Sequence, residues 1–258
     1  MIKNTSYLKL IKKTYKRNYK LYRLENEALS IYIFTIISFL VTPLFLIFNI
    51  SANYVTLINL IIGSFSIFFL ISTEYNSFAL GIIIYFIFRI LDCVDGNVAR
   101  ITEKTSFFGR FCDSTLDIFY ESFFILALGF YSLNYLNSEN LFFIGILASL
   151  LSMSNTFIYD KYASLIRWSN DENNLSNTPY LRKKSFARFF YTLTDLKILL
   201  LVLFLLFYEN DYLMHIFLSL FFLKFILMSL FNLIKHFIHA KKNLEFYAGD
   251  KKTYVRKK

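Results

Sequence analysis

Residues 91–117 read LDCVDGNVARITEKTSFFGRFCDSTLD and place four aspartates, Asp92, Asp95, Asp113 and Asp117, between apolar runs. On a helix Asp92, Asp95 and Ala99 share one face, as do Gly109, Asp113 and Asp117. Two antiparallel helices joined by the short linker between them can turn those faces toward each other. Four converging carboxylates in a poorly solvated place repel, and cations or shifted protonation must hold them. With no His or Cys pattern beside them, an all-oxygen donor set points to hard divalent ions, Mg²⁺ or Mn²⁺, and four carboxylates suffice for two ions. Gly96 and Gly109 leave room for a ligand to approach the backbone, and Arg100 supplies a fixed cation suited to a phosphate oxygen. Metals, an arginine and glycines around one cleft describe a pyrophosphate site. A salt-bridge cluster between helices would not need four acids facing so few bases.

The elements that position these residues are membrane spans. The 258-residue chain is 56% hydrophobic and 20% aromatic, with seven Gly and two Pro, which excludes a disordered or ordinary soluble protein. Apolar windows fall near 28–50, 53–72, 77–95, 111–134, 141–165, 190–208 and 211–238, each about the length that crosses hydrocarbon as a helix. Without period-two alternation they cannot form a lipid-facing barrel. Lys and Arg crowd residues 1–23, 100–110, 161–188 and the C-terminal tail, while 73–77, 135–140 and 208–212 contain none, so the former should be cytoplasmic and the latter outward. Six spans from residue 53 onward satisfy this alternation. A seventh, at 28–50, would carry the eight Lys and Arg of residues 1–23 outward. That segment is expected to lie in the interface or dip in and return, with Pro43 as the bend. All four aspartates then lie near the cytoplasmic face.

The fold expected is an all-α integral membrane protein, six transmembrane helices preceded by an N-terminal interfacial, juxtamembrane helix. Its divisions are a basic cytoplasmic N-terminus with that helix (1–51), a six-helix transmembrane domain (52–238) and a basic cytoplasmic tail (239–258). The net charge of +10 sits beside spans rather than in a separate basic domain, so anionic membrane lipid, not nucleic acid, is the expected partner. Cys93 and Cys112 have no disulfide or zinc spacing and read as packing residues. The basic N-terminus lacks the short apolar core and small-residue cleavage site of a removed signal peptide. Richness in Ile, Phe, Lys and Asn suits a low-GC genome and a bacterial inner or cell membrane.

The spacing Asp92-x2-Asp95-Gly96-x2-Ala99-Arg100-x8-Gly109-x3-Asp113-x3-Asp117 resembles, at every fixed position, the signature of the class I CDP-alcohol phosphotransferase (CDP-alcohol phosphatidyltransferase) family. A weaker likeness is ANYVTLINLIIG at 52–63, similar to the Pro-Asn-x-x-Thr start of that family's first span, with Ala52 in place of Pro. The resemblance implies that 52–238 is catalytic. It implies that a CDP-linked alcohol binds with Mg²⁺ or Mn²⁺, an acceptor hydroxyl attacks the phosphorus bearing the alcohol, and CMP leaves. By that likeness Asp92, Asp95 and Asp113 ligate metal, and Asp117 is the general base that also touches the second ion. Gly96, Ala99, Arg100 and Gly109, with Asn53 and Thr56, would receive the nucleotide and its phosphates. Lys161, Arg188 and Lys235, near cytoplasmic span ends, are similar to the bases with which members using polyol phosphates hold an acceptor phosphate. A homodimer is a further possibility the family raises. His215, His236 and His239 read as interfacial residues, and no position supports an aromatic cage for choline.

The expected activity is a phosphotransferase of phospholipid biosynthesis, first choice transfer from CDP-diacylglycerol to an alcohol acceptor. The alternative donor is a soluble CDP-alcohol acting on a lipid or sugar acceptor. A cation transporter would place its acids at mid-bilayer with helix-breaking glycines in paired segments, unlike this pattern.

Overall fold

The computed structural model describes residues 6–18, 29–72, 74–105, 107–169 and 210–248. Among them the chain forms seven helices and no strand: α1 (Tyr7–Asn18), α2 (Leu29–Ile47), α3 (Ala52–Leu70), α4 (Tyr75–Thr102), α5 (Phe107–Asn134), α6 (Glu139–Ser169) and α7 (Asp211–Ala248). Helix is the conformation that satisfies every backbone amide within one apolar segment, which is what hydrocarbon demands. Five helices contain stretches long and apolar enough to cross a membrane: Ala52–Leu70, Asn76–Thr102, Phe111–Asn134, Glu139–Tyr162 and Asp211–Ile238. The expected span at 190–208 lies outside the described residues.

Segment 28–50 differs from expectation in one respect. Pro43 lies inside α2, and the helix runs on to Ile47. The chain turns instead at Asn49, in the left-handed region (φ 54°), where the Ile50 amide bonds back to the Phe45 carbonyl at 2.9 Å. Asn adopts this conformation more readily than other non-glycine residues, and the bond caps the orphan carbonyls of the last turn. The apolar stretch Ile33–Ile47 is shorter than a span. Phe34 meets Phe86 near the middle of α4, so α2 dips in beside that helix. At the other end of the chain α7 continues unbroken past residue 238, where the tail was expected to begin.

In lipid the hydrophobic effect does not drive helix association, so packing shape and polar contacts set the arrangement. α4 and α5 are antiparallel, with register fixed by the ring pairs Phe78–Tyr131 and Tyr85–Phe124 (each 4.1 Å between centroids) and Phe88–Tyr120 (4.8 Å). Each such pair contributes about 0.5–1.5 kcal/mol beyond its buried area. α3 runs antiparallel to α4, as the Ser66 hydroxyl donating to the Gly81 carbonyl at 2.8 Å records. α5 and α6 cross where Gly129 faces Gly145; a Cβ on Gly145 would stand 2.9 Å from the Gly129 Cα. α7 lies alongside α6 in the same direction, Gly145 near Phe222 and Tyr159 against His236. The result brings the C-terminal ends of α2 and α4 and the N-terminal ends of α3 and α5 to one end of the bundle.

Candidate active site

The turn between α4 and α5 makes the site. α4 ends at Glu103, left-handed at φ 57°, and the Lys104 amide bonds to the Ala99 carbonyl at 3.0 Å. This six-to-one closure caps the helix and lets the chain re-enter as α5 within a few residues. The aromatic register then sets Asp92 and Asp95 of α4 opposite Asp113 and Asp117 of α5.

A cavity of about 340 Å³ opens there. Its wall includes Asn53 and Thr56 from α3, Asp95, Gly96, Ala99 and Arg100 from α4, and Gly109 and Asp113 from α5. Eight of the expected site residues thus share one cavity, together with Lys104 and Thr105 from the turn. The Thr56 hydroxyl donates to Asp95 Oδ2 at 2.7 Å, and Asp95 is buried. Gly96 leaves space that Arg100 fills: a Cβ there would stand 3.0 Å from Arg100 Nη2 and 3.1 Å from Nη1.

Asp92 and Asp117 lie a turn deeper along their helices, where Arg89 meets both. Its Nη1 is 2.8 Å from Asp117 Oδ1 and 3.7 Å from Asp92 Oδ2. Asp92 and Asp113 come within hydrogen-bonding reach of each other across the helices. The four acids are therefore paired off, and among the described residues no three acidic, His or Cys side chains enclose a cation as they stand. The donor set nevertheless fits Mg²⁺ or Mn²⁺. It is all oxygen, and two of its carboxyls are already side by side, an arrangement that a hard cation between them would relieve of repulsion.

Lys161 lines a different cavity, of about 310 Å³, between α6 and α7 with His236 and Tyr162. Phe157 meets Phe119, so Lys161 lies one turn beyond the level of Phe119, near that of Asp117 and at the same end of the bundle. Lys235 is exposed on α7. Arg188 lies outside the described residues. Sequence reasoning passed over Arg89, although an arginine inside the apolar run FIFRILD is an intramembrane charge that asks for a partner. It also passed over Lys104 and over Asn97, which is fully buried.

A bundle of apolar helices with a charged cleft at one end, walled by glycines, an arginine and carboxylates, defines an integral membrane protein. Residues 49–167 match the family model described as CDP-alcohol phosphatidyltransferase, so this part of the chain is similar to that family's domain. Members of that family are phosphotransferases acting on a CDP-linked alcohol. No curated protein matches the chain. The match spans α3 to most of α6 and includes all four aspartates, leaving α1, α2 and α7 outside it.

Proposed function

We propose that the protein transfers a substituted phosphate from CDP-diacylglycerol to the hydroxyl of an alcohol acceptor, releasing CMP at the cytoplasmic face of a bacterial cell membrane, in phospholipid biosynthesis. The observation that carries this reading is the single cavity in which the α3 start, the Asp-Gly-x-x-Ala-Arg turn of α4 and the Gly-x-x-x-Asp turn of α5 converge. In the reaction the acceptor oxygen forms a bond to the phosphorus bearing the donor alcohol, the bond from that phosphorus to the CMP oxygen breaks, and the acceptor proton passes to the Asp117 carboxylate. Arg100 binds diphosphate oxygens with charge-assisted hydrogen bonds. Gly96 and Ala99 leave room for the cytidine end, and Asn53 and Thr56 border it. Arg89 holds the Asp117 carboxylate in one rotamer. Asp92, Asp95, Asp113 and Asp117 are the residues that would hold Mg²⁺ or Mn²⁺, which when bound neutralises charge on the transferring phosphoryl group.

A lipid donor is favoured by what borders the cavity. Tyr54 and Leu57, on the same turns of α3 as Asn53 and Thr56, are 66% and 52% exposed, an apolar surface on which acyl chains can lie. An acceptor phosphate would find Lys161 and Lys235 at the aspartate end of the bundle, with Arg188 as the third base. Metal-dependent release of CMP from a panel of CDP-alcohols tests the proposal. CMP released from CDP-diacylglycerol with Mg²⁺ or Mn²⁺ supports it; release only from soluble CDP-alcohols moves the donor assignment, and no release from any donor refutes the reaction.

A further inference from the structure

The matched domain begins at residue 49, yet the arginine in its cavity is held from outside it. Ser38 and Thr42, one turn apart on α2, are fully buried. Each commits its proton to its own helix: Ser38 Oγ donates to the Thr35 carbonyl at 2.7 Å and Thr42 Oγ1 to the Ser38 carbonyl at 2.6 Å. Toward α4 the two hydroxyls therefore have only lone pairs to offer. Asn97 Nδ2 donates to both, at 2.9 Å and 3.3 Å. This sets the orientation of the amide, its NH₂ toward α2 and its oxygen turned away. That oxygen accepts from Arg100 Nη2 at 3.0 Å. With no side chain on Gly96, the guanidinium lies down on α4 along the cavity wall it shares with Asp95 and Asp113.

We infer that Ser38, Thr42 and Asn97 are a positioning relay that holds Arg100 for the diphosphate of the donor, so that α2, outside the matched domain, is a working part of the active site. The inference rests on the function proposed above. The three residues act through Arg100 and do not touch substrate. An arginine left to its own rotamers would have to be ordered by each arriving donor, at a cost in affinity. Asn serves where Asp would not, because a carboxylate facing Ser38 and Thr42 would force both hydroxyls off their backbone carbonyls.

The test uses the full chain in detergent micelles, with CDP plus Mn²⁺ as the binding probe by calorimetry and CMP release from CDP-diacylglycerol for kinetics. Ser38→Ala/Thr42→Val is expected to raise the Kd for CDP and the donor KM about two- to tenfold, as loss of neutral hydrogen bonds does, with kcat within about twofold. Thr42→Ser, which keeps the hydroxyl, should restore most of the loss. In an Arg100→Ala background the α2 pair should add nothing further, since the relay then has nothing to hold. An equal factor in both backgrounds would make the contacts packing alone and overturn the inference, as would an unchanged Kd. Asn97→Leu, compared in the same two backgrounds, gives a second route to the same coupling. If the wild type binds CDP with relay-dependent affinity but releases no CMP, the relay stands and the reaction falls; if it neither binds CDP nor releases CMP, both fall.

Discussion

Replacing Arg89 with Met keeps an unbranched stem of similar length and removes a charge that meets both Asp92 and Asp117 on facing helices. The 2.8 Å contact to Asp117 is a charge-assisted hydrogen bond, a type whose net contribution is about 1.5–3 kcal/mol. The Asp117 side chain is 40% exposed and that of Arg89 23%, so solvent screening brings the expected cost down to about 1–2 kcal/mol. If Arg89 serves to hold the carboxylate that takes the acceptor proton, that loss falls on turnover. kcat should drop roughly 5–30-fold while the donor KM changes less than about twofold, because the cavity residues proposed to contact the nucleotide are untouched. Arg89→Lys keeps the charge as a point donor and should lie between the two. The assay is steady-state CMP release at saturating Mn²⁺ in micelles, with thermal unfolding of the same samples to separate stability from chemistry. A kcat for Arg89→Met within twofold of wild type would refute the positioning argument, and a change confined to KM would place Arg89 in binding instead.

Asp117→Asn should retain CDP binding by calorimetry while CMP release is abolished, and retained turnover would remove Asp117 as the base. Gly96→Ala puts a methyl group where the Arg100 guanidinium now lies, so its Kd for CDP should rise about tenfold, and unchanged affinity would show that Arg100 binds from another rotamer. Gly145→Leu pushes into the Gly129 backbone across α5 and α6, neither of which can yield like a side-chain tip, and should cost about 1–3 kcal/mol by denaturant or thermal unfolding in micelles. Chelation with EDTA should remove CMP release, and added Mg²⁺ or Mn²⁺ should restore it; full activity in EDTA would exclude a divalent requirement.

Much of the fold was legible because a bilayer simplifies the reading. Apolar runs of span length leave a helix as the only way to satisfy their backbone, so α3 to α7 follow from hydropathy alone. The bend expected at Pro43 was misplaced for a local reason. A proline so near a helix end removes one backbone bond, whereas a turn out of the helix needs a residue that accepts positive φ, and Asn49 supplied it. The grouping of Asp95, Gly96, Ala99, Arg100, Gly109 and Asp113 around one cavity was foreshadowed by their three- and four-residue spacing. That spacing is a property of single helices and survives any packing.

What lies between helices is another matter. That Arg89 pairs with Asp117 depends on the α4–α5 register, which a column of aromatic rings sets and no spacing rule encodes. That Ser38 and Thr42 reach Asn97 depends on α2 dipping beside α4 rather than lying across its end. The sequence by itself determined the helical membrane class, the sidedness expected from its charges and the identity of the residues that line the cavity, because each is written in local composition or in one helix's periodicity. Only the tertiary structure decided which carboxylate faces which arginine and which hydroxyls orient the asparagine behind Arg100, because those choices depend on distances between residues far apart in the chain.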